Sequence, residues 1–181
     1  TATEAQREAM REVPTHVVSR ELFLENPLPY LELRRQWILG RVDPNGTFYE
    51  KYRPTVAHFF AVVAHARGQL TRVFTQNVDG LDQSAGLARD KVVNIHGSVD
   101  RVTCEVCGAS CDGAAYAAAV RKSIRDITGA DASAPSESRA VRCAACDAPA
   151  VKPTTVLYGG ELPREFGERS KADLPETELL L

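Results

Sequence analysis

Two copies of C-x2-C constrain this chain more than anything else in it: Cys104-Glu-Val-Cys107 and Cys143-Ala-Ala-Cys146, with 35 residues between them. Each copy can set two sulfurs on one tight knuckle, and four thiolates brought together make a closed tetrahedral zinc site. The gap is longer than in the commonest zinc ribbons, but closing a longer loop costs little extra because the cost grows logarithmically. In a secreted chain, five cysteines would leave one unpaired, whereas a reducing compartment leaves thiolates available for metal. A redox role needs one C-x2-C opening a helix in a βαβ unit, and a matched pair argues against it. Structural Zn2+ on Cys104, Cys107, Cys143 and Cys146 is therefore expected, with Cys111 left as a spare thiol nearby.

Around these knuckles the pattern is that of a layered α/β protein. Val56, Phe59, Phe60 and Val63 make a helical stripe after Thr55, a natural N-cap, and Gly68 closes it. Its apolar face is expected to pack on a sheet. Leu70 to Thr75 reads as a strand directly after that helix, and Lys91 to Ile95 as another. Upstream, Ser19 to Glu25 and Leu28 to Leu39 read as two helices divided by Pro27, the second burying Tyr30, Leu33 and Trp37. Asp112 can cap a helix carrying Tyr116, Val120, Ile124 and Ile127 on one face, and the small polar run GADASAPSESRA that follows is expected to be a mobile loop. Residues 99–152 then form a zinc-binding module, inserted into or hung from a larger layer made of residues 1–98 and 153–181.

Candidate chemistry sits at the two strand ends. Gln76, Asn77 and Asp79 follow the first strand in TQNVDGLDQ, and His96 follows the second in NIHGS. A polar turn would explain the first group, but ligands of open α/β sheets lie outside the carboxyl ends of strands. An imidazole there is suited to taking a proton near neutral pH. His16, His58 and His65 fall in a loop or in expected helices, where packing or solvation explains them.

Charge and hydropathy narrow the function classes. A formal charge of −2 and a pI near 6.1 give no general attraction to nucleic acid. No apolar run approaches the roughly 18 residues of a membrane span, and the first residues lack the apolar core of a secretory signal. An intracellular protein is expected, with the choice among nucleus, cytoplasm and mitochondrion open.

TQNVDGLDQSAG, IHGS, the two C-x2-C motifs and VKPTTVLYGGELP occur in this order, and together they resemble the sirtuin family of NAD-dependent protein deacylases. The resemblance runs from about Pro14 to the C-terminus. It implies a Rossmann-like NAD-binding layer with a smaller zinc module, NAD+ as co-substrate, and acylated lysine on proteins as the partner. Gln76 and Asn77 correspond to the residues that contact the nicotinamide ribose, Asp79 to the one holding the nicotinamide carboxamide, and His96 to the general base. The implied reaction joins the acyl oxygen to the ribose as nicotinamide leaves. His96 then deprotonates the ribose hydroxyls, which are poor nucleophiles until a base acts on them, so that the acyl group migrates, and water finishes the transfer to O-acyl-ADP-ribose as the free lysine leaves. Val156, Leu157, Tyr158 and Gly159 resemble the strand whose backbone pairs with the extended substrate.

Departures from the family pattern accompany the likeness. Tyr158-Gly159-Gly160 replaces the usual Phe-Gly-Glu, and Asp82 and Ser84 stand where many members have His and Arg. The sequence contains no G-x-G and so no dinucleotide fingerprint, while Thr177 to Leu181 resembles the start of a further core strand. An incomplete Rossmann-like layer is expected, an internal piece of a longer protein with weak or no NAD binding of its own. NAD-dependent ADP-ribosyl transfer to protein, and a non-catalytic zinc-ribbon interaction module, are the alternatives.

Overall fold

The computed structural model describes residues 1–40 and 53–180. Its elements are α1 (Glu4–Glu12), α2 (Arg20–Glu25), α3 (Leu28–Leu39), α4 (Val56–Ala66), β1 (Val73–Thr75), α5 (Leu81–Ser84), β2 (Val92–Asn94), β3 (Val102–Cys104), β4 (Ser110–Cys111), α6 (Gly113–Ser123), β5 (Val151–Pro153) and α7 (Arg164–Asp173). The chain divides into two compact units: Thr1–Lys51 with Arg101–Gly160, and Tyr52–Asp100 with Glu161–Leu181. This division differs from the expected one of 1–98 and 153–181 against 99–152, because the N-terminal helices group with the cysteine-bearing segment.

The first unit is built on a three-stranded antiparallel sheet in the order β4-β3-β5, with Val102 opposite both Cys111 and Pro153. Ser19 caps α2 by accepting the Leu22 N–H at 3.2 Å, and Asp112 caps α6 by accepting the Ala115 N–H at 2.7 Å. Phe23 meets Tyr30 edge-on, and these pack with Leu31, Ile38, Val102, Tyr116, Val120, Ile124 and Val151 into one core. Each side chain so buried is worth about 1.5–3 kcal/mol.

Helix α3 carries two buried charges, which changes the face the sequence suggested. The Arg35 side chain is fully buried; its Nε donates to the Ile124 carbonyl at 2.7 Å and its Nη2 to Asp131 Oδ2 at 2.6 Å. Buried Glu32 accepts from Arg125 Nε at 3.0 Å and Ser138 Oγ at 2.7 Å. With Tyr30, Leu31, Arg35 and Ile38 turned inward, Leu33 is left 46% exposed. The run 129–140, expected as a mobile loop, is instead pinned through Asp131 and Ser138, while Asp126 accepts the backbone N–H groups of Thr128 and Asp131. Ile127 lies beyond the end of α6 and is exposed, not on the helical face.

The second unit holds a parallel pair, β1-β2, with Val73 opposite Val92 and Thr75 opposite Asn94. Phe74 meets Phe166 of α7 edge-on at 6.2 Å, and Arg72 pairs with Asp173 of the same helix. Thr55 precedes α4 as expected, with His58 Nδ1 accepting its N–H at 3.0 Å. The expected burial of the α4 stripe does not occur among the described residues: Val56, Phe59, Phe60 and Val63 are all exposed, and no α4 residue is buried. Residues 177–180 form no strand, and Leu181 lies outside the described residues.

Candidate functional site

The four expected metal ligands meet. Their sulfurs all lie within 4.8 Å of one another, with Cys104 to Cys146 and Cys107 to Cys143 both at 3.7 Å. Four sulfurs at the Zn–S length of about 2.3 Å occupy tetrahedron corners roughly 3.8 Å apart, so the donor set fits a structural zinc ion. Both knuckles use one backbone plan. The Cys104 N–H donates to Ala109 and the Gly108 N–H to Cys104; the Cys143 N–H donates to Ala148 and the Asp147 N–H to Cys143. The residue after each second cysteine is left-handed, Gly108 at φ 71° and Asp147 at φ 58°. N–H groups of Cys146 and Ala145 hold the Cys143 thiol down at about 7, while the neighbouring sulfurs push Cys146 up, so the cluster shares its protons unevenly. Cys111 is outside the cluster, its sulfur 3.8 Å from the Ala109 carbonyl.

The same unit holds Val156, Leu157, Tyr158 and Gly159. Leu157 is buried and Tyr158 exposed. Tyr158 makes a parallel bridge to Ser19: its N–H donates to Val18 at 3.1 Å and its carbonyl accepts from the Arg20 N–H at 2.9 Å. One edge of this stretch is thus occupied by residues 18–20 of the chain itself. Beneath it, Lys152 is almost wholly buried and its Nζ reaches the carbonyls of Pro153 and Thr155 and the Glu105 carboxylate. Burial pushes the Lys152 ammonium downward, and Glu105 opposes that.

In the second unit, the segments carrying Gln76, Asn77, Asp79 and His96 run together from the carboxyl ends of the parallel strands. The Ile95 N–H donates to Thr75 at 2.9 Å, the Val99 N–H to Val78 at 2.9 Å, and Asn94 Nδ2 to the Asn77 carbonyl at 3.4 Å. Gln76 and Asn77 are exposed, whereas Asp79 and His96 are half-buried. Asp79 Oδ1 accepts the Leu81 N–H at 3.1 Å, fixing the turn into α5. Gly80 turns there with φ 76°, a conformation that favours glycine, and a Cβ on it would stand 2.3 Å from Asp100 Oδ2, so any other residue would also have to displace that carboxylate.

Two residues of this site, Asn94 and Asp100, were not among the expected ones. Asn94, buried at the end of β2, ties to Asn77 and to Gln83 Nε2 at 3.3 Å; its signal in the sequence is an amide inside the apolar run Val92 to Ile95. Asp100 closes against Gly80. Asp82 is buried, which pushes its carboxyl up; His58 pulls it down and Asp79 pushes it up again.

Comparison with known proteins gives the family. The chain matches the Sir2 family over residues 3–181. It is 33% identical over 168 residues to the mouse NAD-dependent protein deacetylase sirtuin-3, covering 93% of this chain and 42% of that protein. It is 30% identical to the Caenorhabditis elegans NAD-dependent protein deacetylase sir-2.1, over 93% of this chain and 23% of that protein. To the Emericella nidulans NAD-dependent protein deacetylase hst2-2 it is 36% identical over 130 residues, 71% of this chain and 32% of that protein. The chain therefore spans less than half the length of these relatives. Among the described residues no helix is long and apolar enough to cross a membrane.

Proposed function

The chain belongs to the Sir2 family, and we propose that the protein carrying it is an NAD-dependent protein lysine deacetylase in which these residues supply the ribose side of the reaction centre, the general base, the substrate strand and a zinc-stapled module. The parallel pair β1-β2 is read as part of a Rossmann-like layer. One observation carries the proposal: the two segments bearing Gln76, Asn77, Asp79 and His96 leave adjacent strand ends and are stitched together by backbone hydrogen bonds.

At such strand ends exposed amides can take a sugar and a carboxamide. Gln76 and Asn77 present two, and Asp79, held by its turn, presents a carboxylate that can accept from a carboxamide N–H. His96 accepts a proton from a ribose hydroxyl, making that oxygen nucleophilic. NAD+, when bound, supplies an activated ribose carbon with nicotinamide as leaving group. Val156 to Gly159 offer backbone to an extended acyl-lysine peptide, which gives affinity with little sequence preference. Cys104, Cys107, Cys143 and Cys146 hold zinc as a structural ion, since four protein thiolates leave no open position for substrate.

Incubation with an acetyl-lysine peptide and NAD+, with products read by mass spectrometry, tests this. Expected are the free lysine and O-acetyl-ADP-ribose, both lost in His96→Ala; ADP-ribosylated protein without deacetylation would overturn the proposal. Calorimetric titration of the 181 residues alone with NAD+ is expected to give no micromolar binding, because the sequence has no G-x-G phosphate loop.

A further inference from the structure

The stretch Thr154 to Leu157 belongs to no helix or strand, so its carbonyls cannot be satisfied by a regular ladder and need partners from elsewhere. Lys152 provides one for Thr155, and holds the Pro153 carbonyl at the end of β5 as well. Its side chain is 3% exposed, and its Nζ lies 3.0 Å from the Pro153 carbonyl, 2.7 Å from the Thr155 carbonyl and 3.3 Å from Glu105 Oε2. An ammonium has three donors and no acceptor, and all three are used. Glu105 projects from the first cysteine knuckle, its own N–H donating to the Ala150 carbonyl at 2.8 Å. Its other oxygen accepts from Arg20 Nε at 2.8 Å. Arg20 opens α2, and its backbone N–H donates to the Tyr158 carbonyl. The result is a closed circuit from Lys152 through Glu105 and Arg20 to Tyr158, returning along residues 155–158.

We propose that Lys152 is a positioning residue for the acyl-peptide strand: with Glu105 and Arg20 it fixes the backbone of residues 153–158 in the conformation that receives an extended acyl-lysine substrate. The inference rests on the deacetylase reading above. Packing alone does not account for the ammonium, since an apolar chain of similar length would fill the same space without the desolvation cost of a buried charge. What the ammonium adds is direction: two carbonyls three residues or fewer away are turned inward, which settles how the intervening peptide planes face. Every member of this circuit belongs to the first unit and ends on the stretch read as the peptide strand, so its loss is expected to act on the peptide.

The test is a steady-state comparison of the protein carrying these residues with Lys152→Met and Glu105→Gln variants, with acetyl-lysine peptide and NAD+ varied separately. Deacetylation by the unaltered protein checks the functional reading by itself. In both variants the KM for peptide is expected to rise about tenfold while the KM for NAD+ stays within about twofold. A double variant no worse than Lys152→Met alone would place the two residues in one circuit. Metal content and thermal melting establish that each variant is folded. If Lys152→Met does not fold, Arg20→Gln, at the more exposed end of the circuit, is expected to raise the peptide KM about threefold by itself. Folded, metal-loaded variants with an unchanged peptide KM would overturn the proposal, as would equal changes in both KM values, which a purely structural lysine would give.

Discussion

The two units solve the problem of stability differently. The largest fully buried side chains among the described residues are Arg35, Tyr30, Phe23, Leu22, Leu31, Ile124, Val93, Val120 and Cys104, and of these only Val93 belongs to the second unit. The first unit has a three-stranded sheet, a continuous core, satisfied buried charges and a four-sulfur cluster. The second has two short parallel strands, and parallel strands are ordinarily covered on both faces, while sheets of fewer than three strands are marginal alone. Its α4 leaves Val56, Phe59, Phe60 and Val63 exposed. The fully buried side chains are concentrated where no reaction is proposed, and the side chains proposed to react ride on the lighter framework.

Removing the metal is expected to break the comparison most severely. Structural zinc contributes of order 10 kcal/mol in small domains, comparable with the whole stability of a typical domain. A strong chelator, or Cys104→Ser, should abolish cooperative unfolding of the first unit. Trp37 is the chain's only tryptophan and lies in that unit, so its fluorescence reports the loss directly. Amides of Val92 to Asn94 should exchange at unchanged rates; equal loss of protection in both units would show that they are not separate in stability.

A smaller effect comes from apolar truncation. Phe23→Ala removes a fully buried ring in contact with Tyr30 and should cost about 3–5 kcal/mol. Phe60→Ser removes a ring that is 60% exposed and should change stability by less than about 0.5 kcal/mol. Denaturant melts followed by Trp37 fluorescence and by circular dichroism measure both. A large loss from Phe60→Ser would mean that the exposed α4 stripe is covered in solution.

The same contrast explains what the sequence made legible. The metal cluster could be read from spacing because C-x2-C carries its own geometry. Helices α2, α3, α4 and α6 could be read because caps and stripes are local signals. What could not be read was which way ambiguous faces turn. Leu33 looked like core, and nothing marked Glu32 and Arg35 as buried until partners about ninety residues downstream, Arg125 and Asp131, were in place. The polar run 129–140 looked mobile for the same reason, since Ser138 and Asp131 hold α3 only through tertiary contact. Position His96 was suggested by strand order, but Asn94 and Asp100 were missed because their tie to residues 76–80 exists only once β1 and β2 pair.

Acid should move the two units in opposite directions. Burial pushes Glu32 up, but hydrogen bonds from Arg125 and Ser138 outweigh it and hold the carboxyl below its usual 4.5. That stability is present above pH 4.5 and is lost as pH falls through the lowered folded value. Asp82 runs the other way: burial raises it above 3.8, so its contribution is complete below pH 3.8 and is lost as pH rises through the raised value. Between pH 7 and 4, exchange protection of the Leu81 to Leu87 amides should increase, while below pH 4 the Trp37-monitored unit weakens. Asp82→Asn should flatten the first trend and Glu32→Gln the second.

The smallest expected effect lies inside the first unit, where its two knuckles differ at one matched position. Gly108 and Asp147 both hold left-handed backbone, and no other non-glycine described residue has positive φ. A Cβ on Gly108 would meet nothing within 4 Å, so Gly108→Ala isolates the backbone cost of that conformation, about 1 kcal/mol. Asp147→Gly relieves strain but surrenders the Arg142 contact at 3.1 Å to an exposed carboxylate, and glycine also gains freedom in the unfolded chain. The gain should therefore be no more than a few tenths of a kcal/mol. Thermal melts of the metal-loaded protein separate the two substitutions. If Gly108→Ala is neutral, the knuckle bends to fit its residue, and the rigidity assigned to the first unit does not extend to its metal ligands.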